Sequence, residues 1–262
     1  MSDINLSKGQ RRREQLMMLL KQQGRITIQE IVDRFGCSEA TARRDLEAME
    51  RTEPIIRTIG GAMYGGGMSA VRDVTFAEKT GISYLEKERI ALKAASLIEE
   101  GDVIGLSGGT TNYLLAKLIR DRKGITVVTN AVNIAMELAG SDIQVLVTGG
   151  IMRHNSFELC GPLAEGMVGN LHIGKMFIGV DGVSADSGIT TYSEQEAQIA
   201  KALISRSRAS YAVFDHTKVG KTSLFSIAAL EQLQAFITDE PLPDELKLAA
   251  EVYHIEVHIA KN

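Results

Sequence analysis

Cysteine is scarce in this chain: Cys37 and Cys160 are the only two, too few for a disulfide framework. Long apolar runs are absent too. None approaches the roughly 18 residues that a membrane span requires, so no membrane partner is expected. The basic cluster Arg11-Arg12-Arg13 is not followed by the apolar core of a signal peptide, which points to a cytoplasmic protein. The five histidines are scattered. His254 and His258 stand four apart in a strand-like segment, where a terminal strand is expected rather than a metal site. No cofactor is implied, and no internal repeat is evident.

What is present is an ordinary soluble composition, 44% hydrophobic and 24% charged over 262 residues, enough for one large domain or two unequal ones. Charge is uneven. Residues 1–62 hold 11 Lys and Arg against 9 Asp and Glu, and the remainder 18 against 24. The positive end is where a nucleic-acid module would sit.

The first 60 or so residues read as helical. Lys8 to Gln23 carries Leu16, Leu19 and Leu20 on one face, and Gly24 can stop it. Thr27 stands three residues before Glu30, a capping-box spacing. Ile28, Ile31, Val32 and Phe35 then recur at helical intervals. Gly36-Cys37-Ser38 makes a turn into a third helix, roughly Glu39 to Arg51, with Ala42, Leu46 and Met49 on one stripe and Pro54 beyond it. Ile55 to Ile59 followed by Gly60-Gly61-Ala62 suits a small hairpin, or wing. Gly65 to Ser69 looks like a flexible linker. We expect a winged helix-turn-helix over residues 1–63, a linker over 64–84 and a second domain over 85–262.

The third helix holds the chemistry of the first domain. With Ala42, Leu46 and Met49 turned inward, Ala40, Arg43, Arg44 and Glu47 face outward. A small residue permits close approach to a groove, and paired guanidinium forks suit phosphates or guanine edges. Ser38, Glu39 and Thr41 occupy the first turn, which usually enters the major groove. Arg57 on the wing is expected to reach a neighbouring phosphate or the minor groove. Such a face on an arbitrary helix is more often merely solvated; the turn, the wing and the N-terminal position together favour double-stranded operator DNA.

The segment IQEIVDRFGCSEATARRDLEAME with IIRTIGGAM resembles the DNA-binding module of the DeoR family of bacterial regulators. The Ser38, Thr41, Arg43, Arg44, Asp45, Leu46 pattern and the wing residues Arg57, Gly60, Gly61 and Ala62 carry that resemblance. It implies that the arginine-bearing helix reads an operator. Cys37 stands where an aliphatic residue is common.

From about residue 86 short apolar strands alternate with helices, which means an α/β domain with a mostly parallel sheet. Strands are expected at 125–129, 143–148, 175–180, 210–214 and 235–238, and helices at 110–120, 131–139, 194–207 and 243–251. Leu106-Ser107-Gly108-Gly109-Thr110-Thr111 ends a strand and opens a helix, a geometry that favours an anion. Polar residues recur at other strand ends, which converge on one crevice in an open parallel sheet. With Lys218, and Lys221 beside it, this suits a phosphorylated polyhydroxy compound.

The resemblance continues through SGGTT, VVTN, VTGG, GVDGVSADSGITTYSEQEAQ and VFDHTKVGKTS. It implies a sensor domain with a ribose-5-phosphate isomerase and CoA-transferase-like fold and a phosphorylated sugar effector. The ligand residues it implies are Ser107, Gly109, Thr110, Thr111, Thr129, Asn130, Gly149, Asp181, Thr190, Thr191, Glu194, Asp215 and Lys218. Family members often carry an acid where this chain has Ser107. A repressor of carbohydrate metabolism is therefore expected, acting as a homo-oligomer, dimer or tetramer. The competing class is a sugar-phosphate isomerase with a DNA-binding head, since Asp181, Glu194, Asp215 and Lys218 are also residue types for acid–base chemistry.

Overall fold

The computed structural model describes residues 8–23, 25–50, 53, 55–58, 60–64 and 74–261. The chain divides into two compact units, Met1–Arg72 with Thr80–Tyr84 and Asp73–Lys79 with Leu85–Asn262.

In the small unit, helix α1 (Lys8–Gln23) precedes a short strand β1 (Arg25–Thr27), helices α2 (Ile28–Phe35) and α3 (Glu39–Glu50), and strands β2 (Ile55–Thr58) and β3 (Gly61–Tyr64). Thr27 and Glu30 form the expected capping box, and Gly36 ends α2 in the left-handed region at φ 58°. Leu16, Leu20, Ile31, Ala42, Leu46 and Met49 are fully buried together. The wing is an antiparallel pair, β2 with β3, extended by β1 on the other side of β3. Three residues are too few for a period-2 pattern, so β1 was not evident beforehand. Gly61 is required there, because a Cβ would strike the Ile26 carbonyl.

The larger unit begins with α4 (Phe76–Thr80) and α5 (Tyr84–Ala95), both of which run across a unit boundary. Residues 74–84 were expected as linker. Thr75 and Glu78 make a second reciprocal cap here, with both the amide and hydroxyl of Thr75 donating to the Glu78 carboxylate and the Glu78 amide donating back. Ile82 forms a bridge with Thr58 inside the small unit. The glycine-rich stretch Gly65 to Ser69 lies outside the described residues.

Then follow β4 (Val103–Leu106), α6 (Thr110–Ile119), β5 (Thr126–Thr129), α7 (Val132–Leu138), β6 (Gln144–Val147), β7 (Ile151–Met152), β8 (Leu159–Cys160), α8 (Pro162–Val168), β9 (Ile173–Gly179), β10 (Gly182–Ser184), β11 (Gly188–Thr191), α9 (Glu194–Ser205), β12 (Ser207–Val213), β13 (Phe225–Ala228), β14 (Ala235–Thr238), α10 (Asp244–Val252) and β15 (Glu256–Ile259). Seven strands form one parallel sheet in the order β15-β14-β12-β9-β4-β5-β6. Its strands are short and apolar because both faces are covered; Ile104, Val127, Phe177, Ile178, Ala212 and Phe236 are almost wholly buried. An antiparallel sheet β10-β11-β13 and a β7-β8 hairpin were not anticipated. His254 and His258 flank and occupy the terminal strand β15, as expected.

The chain lays down β4, β5 and β6 in one direction and then returns to place β9 on the other side of β4. The order reverses between β4 and β9, which is where open α/β sheets hold their ligands.

Candidate functional site

In the small unit, α3 buries Ala42, Asp45, Leu46 and Met49 and leaves Glu39, Ala40, Arg43, Arg44 and Glu47 exposed. Both arginines thus stand in solvent, not against their own protein. Arg43 pairs with Glu39, one turn away at 3.7 Å, a surface pair of small value. Ser38 caps the helix: the Thr41 amide donates to Ser38 Oγ at 3.3 Å and the two hydroxyls lie 2.9 Å apart. Arg57 sits 3.6 Å from Glu50, and its own amide donates to that carboxylate, yet the side chain stays 40% exposed.

Asp45 departs from the outward face. It is buried between Arg12 and Arg13 of α1, with Arg12 Nε on Oδ2 and Arg13 Nη1 3.3 Å from Oδ1. Two of the N-terminal basic residues therefore clamp α1 to α3.

In the larger unit a pocket opens at the ends of β4, β9 and β12, over the first turn of α6. Its lining includes Lys79, Lys87, Ser107, Gly108, Gly109, Thr110, Thr111, Asn130, Glu158, Asp181, Thr191, Glu196, Asp215 and Lys218. Gly109 precedes α6 at φ 102°, with no side chain capping the helix, so the first-turn amides point where an anion would lie.

Nine of the expected ligand residues meet there: Ser107, Gly109, Thr110, Thr111, Asn130, Asp181, Thr191, Asp215 and Lys218. Four do not line the pocket. The Thr129 hydroxyl is spent on the Leu106 carbonyl and the Ala131 amide. Thr190 bonds the Gly182 carbonyl and the Ser223 amide. Gly149 makes a left-handed turn at φ 69°. Glu194 is exposed at the start of α9, because Ser193 caps that helix and turns Glu196 inward instead.

Ser107 also serves the scaffold. Its hydroxyl accepts from the Gly179 amide at 3.0 Å and from Asn112 Nδ2 at 3.1 Å, tying β4 to β9 at the switch point. Asn130 differs: Nδ2 reaches Glu158 and the Leu159 carbonyl, while its buried Oδ1 has no hydrogen-bond partner. A buried acceptor left unpaired is costly and suits a ligand hydroxyl.

The charges in the pocket are paired. Lys79 Nζ donates to Asp181 Oδ1 at 2.7 Å. Burial pulls Lys79 down, but Asp181, Glu196 and Glu158 together hold it above its usual range. Burial alone would lift Asp181; Lys79 and Lys218 hold it below the usual carboxylate range. Lys87 donates to the Lys79 carbonyl at 2.7 Å, and burial brings it down to about 8. Glu158 and Glu196 face each other beside Arg153. Burial and the neighbouring Glu196 raise Glu158; burial opposes ionisation of Glu196, but Glu158, Lys79 and Arg153 bring it below its usual range. A site with both signs and several hydroxyls fits a polyhydroxy anion.

Sequence reasoning missed Lys79, Lys87, Glu158 and Glu196. Lys87 and Glu196 lie on helices whose inward faces include them, but a charged residue on an amphipathic stripe normally reads as solvated. Lys79 and Glu158 come from a supposed linker and an unrecognised hairpin.

His216, Asp239 and Glu240 form a small cluster nearby. The His216 amide and Nδ1 both engage Asp239, each at 2.7 Å, which steadies the loop bearing Asp215 and Lys218. No helix among the described residues is long and apolar enough to cross a membrane.

Comparison with known proteins bears on both units. Residues 12–65 match the DeoR-like helix-turn-helix domain and residues 82–240 the DeoR C terminal sensor domain. The chain is 34% identical to a lactose phosphotransferase system repressor of Streptococcus mutans, over 90% of this chain and 94% of that one. It is 29% identical to a putative aga operon transcriptional repressor of Escherichia coli O157:H7, over 88% and 87%. With the glycerol-3-phosphate regulon repressor of Escherichia coli K12 it shares 26% over 96% and 99%. Among solved structures, ribose 5-phosphate isomerase A of Methanocaldococcus jannaschii aligns at TM-score 0.40 and 16% identity, over 52% of this chain and 55% of that one.

Proposed function

This chain belongs to the DeoR family of transcriptional regulators, and from that premise we propose that it represses a carbohydrate-metabolism operon and responds to a phosphorylated sugar. Its relatives named for sugar or glycerol-phosphate regulons support this reading. The observation that carries it is the two-faced third helix: Arg43 and Arg44 lie in solvent while Ala42, Leu46 and Met49 are buried. Phosphate contacts by these arginines supply affinity, and base-edge contacts supply specificity. Ser38, Glu39, Ala40, Thr41 and Arg57 complete the DNA-facing set.

The effector's phosphate is assigned to the amides at Gly108–Thr111 with Lys218 and the Asn130 carboxamide nitrogen, and its hydroxyls to Asn130 Oδ1, Asp181 and Thr191. The small unit is the reader and the larger unit the sensor, and self-association holds two readers at a fixed spacing on cytoplasmic DNA. An effector shifts repression only if it binds the free and DNA-bound forms unequally. We read the pocket as binding without turnover; fold likeness carries no activity.

Selection of operator sequences from random duplexes, followed by titration of pentose and hexose phosphates into the complex, tests the reading. Sequence-selective binding weakened by one phosphosugar is the expected result. No selected sequence, or affinity indifferent to every tightly bound phosphosugar, would overturn it. Consumption of a phosphosugar by the purified protein would favour the enzyme instead.

A further inference from the structure

The anion cradle of the pocket is already partly filled from within. The Gly108 amide, first in the glycine pair, donates to Glu158 Oε1 at 3.2 Å. The carboxyl lies so close over this glycine that a Cβ there would overlap it. Asn130 Nδ2 approaches the same oxygen at 3.5 Å and Arg153 Nη1 lies 3.7 Å from the other. An amide, a carboxamide and a guanidinium thus converge on a carboxyl group of the chain itself. These are the donor types that would otherwise receive a phosphate.

Glu158 stands on the turn-and-strand segment that joins β7 to β8. Its carbonyl accepts from the Arg153 amide and the Leu159 amide donates to Asn130, so its backbone is tied to the polar end of β5. The residue before it points the other way. Phe157 has φ 61°, a region that side chains avoid unless the surroundings impose it. Its ring meets Phe76 edge-on at 5.6 Å, and Phe76 meets Tyr113 in the same manner. The Phe76 amide also donates to the Asn155 carbonyl of the same turn at 2.6 Å. Phe76 opens α4, in the stretch Asp73–Lys79 that the chain enters directly from the small unit.

We infer that Glu158 is an internal stand-in for the effector's anionic group, and that Phe157 carries its displacement to Phe76 in the segment joining the two units. The inference rests on the phosphosugar reading of the pocket and adds how occupancy is reported. An incoming phosphate takes the Gly108 amide and displaces the carboxyl from it. Adjacent residues on one short turn then move together, so the Phe76 ring contact and its amide hydrogen bond to Asn155 loosen. The strained Phe157 backbone makes that turn the part readiest to yield.

Inorganic phosphate is the probe, titrated at pH 8 into the full chain and into Glu158→Gln and Glu158→Ala. Gln keeps the shape and the acceptor for Gly108, whereas Ala empties the space over Gly108. Glu158→Ala should bind phosphate at least tenfold more tightly than the wild type, and Glu158→Gln about as the wild type does. Hydrogen exchange of the peptide over residues 74–82 gives the second arm. Saturating phosphate should speed exchange there in the wild type, and should add nothing in Glu158→Ala, where exchange is already fast. Unchanged or weaker phosphate binding by Glu158→Ala overturns the inference, as does exchange over 74–82 indifferent to phosphate. If the wild type binds no phosphate and no pentose or hexose phosphate at all, the functional reading itself fails, which is a separate result.

Discussion

Lys79 Nζ and Asp181 Oδ1 lie 2.7 Å apart, both largely buried, and they join residues 102 positions apart in sequence. The pair links α4 to the end of β9. Lys79→Met strands Asp181 in a desolvated site, with the hydroxyl of Thr191, the amide of Tyr192 and the more distant charge of Lys218 left to it. Asp181 is held below its unfolded value, so its contribution is present above about pH 4 and lost as pH falls through the folded value. The variant should lose about 1–3 kcal/mol at pH 7, and its acid unfolding should begin at higher pH than in the wild type. Urea melts at pH 7 and a pH titration of ellipticity measure both.

The clamp on Asp45 predicts a different defect. Asp45→Ala leaves Arg12 and Arg13 without their shared carboxylate. A loss of about 2–3 kcal/mol is expected in the small unit, seen as an early transition in denaturant, while phosphosugar binding stays unchanged.

Arg43→Ala and Arg44→Ala should leave stability within about 0.5 kcal/mol, since both side chains are exposed. A bidentate base contact would cost about 1–3 kcal/mol of binding to the cognate sequence only. A phosphate contact would weaken all duplexes alike and reduce the salt slope by about one unit. Fluorescence anisotropy across a salt series separates the two outcomes.

The loop carrying Asp215 and Lys218 is pinned through His216. Hydrogen bonding to Asp239 lifts His216 to about 9, against the opposing effect of burial and with the help of the charges on Asp239, Glu240 and Asp215. A raised folded value means the stabilisation is complete below about pH 6.5 and drains away between there and pH 9. Allowing for the partly exposed ring, the amount is about 1–2 kcal/mol. The wild type should therefore lose melting temperature across that window by more than His216→Asn does, and calorimetry at half-unit steps of pH would show equal slopes if the pair were idle.

Glu194 and Glu196 offer a matched comparison. Glu194→Ala should change phosphosugar affinity by less than twofold, because the side chain is exposed outside the pocket. Glu196→Ala removes the partner of Arg153 and of the Thr191 hydroxyl at 2.6 Å, and affinity should fall by tenfold or more. Isothermal titration of both variants decides it; the reverse ranking would mean that α9 presents Glu194 rather than Glu196 to the site.

Local physics made much of this legible in advance. The helix periods, the Thr27–Glu30 cap and the Gly36 turn are interactions within a few residues, so the reader domain was open to inspection from its sequence. Parallel strands buried on both faces declare themselves as short apolar runs, and glycine pairs at their ends declare turns. The third helix even disclosed which side would carry Arg43 and Arg44, because burial of one stripe dictates the opposite one.

The composition of the pocket was settled elsewhere. Whether Glu194 or Glu196 faces inward depends on one capping serine. Whether Thr129 offers its hydroxyl to a ligand depends on whether a neighbouring strand has already claimed it. Lys79 and Glu158 reach the site from segments with no pattern of their own, brought there by the reversal of strand order between β4 and β9. Sequence alone determined which elements form, since those rest on contacts between near neighbours. Only the tertiary structure decided which charges meet, since Coulomb and hydrogen-bond partners are chosen by distance in space and by the water excluded around them.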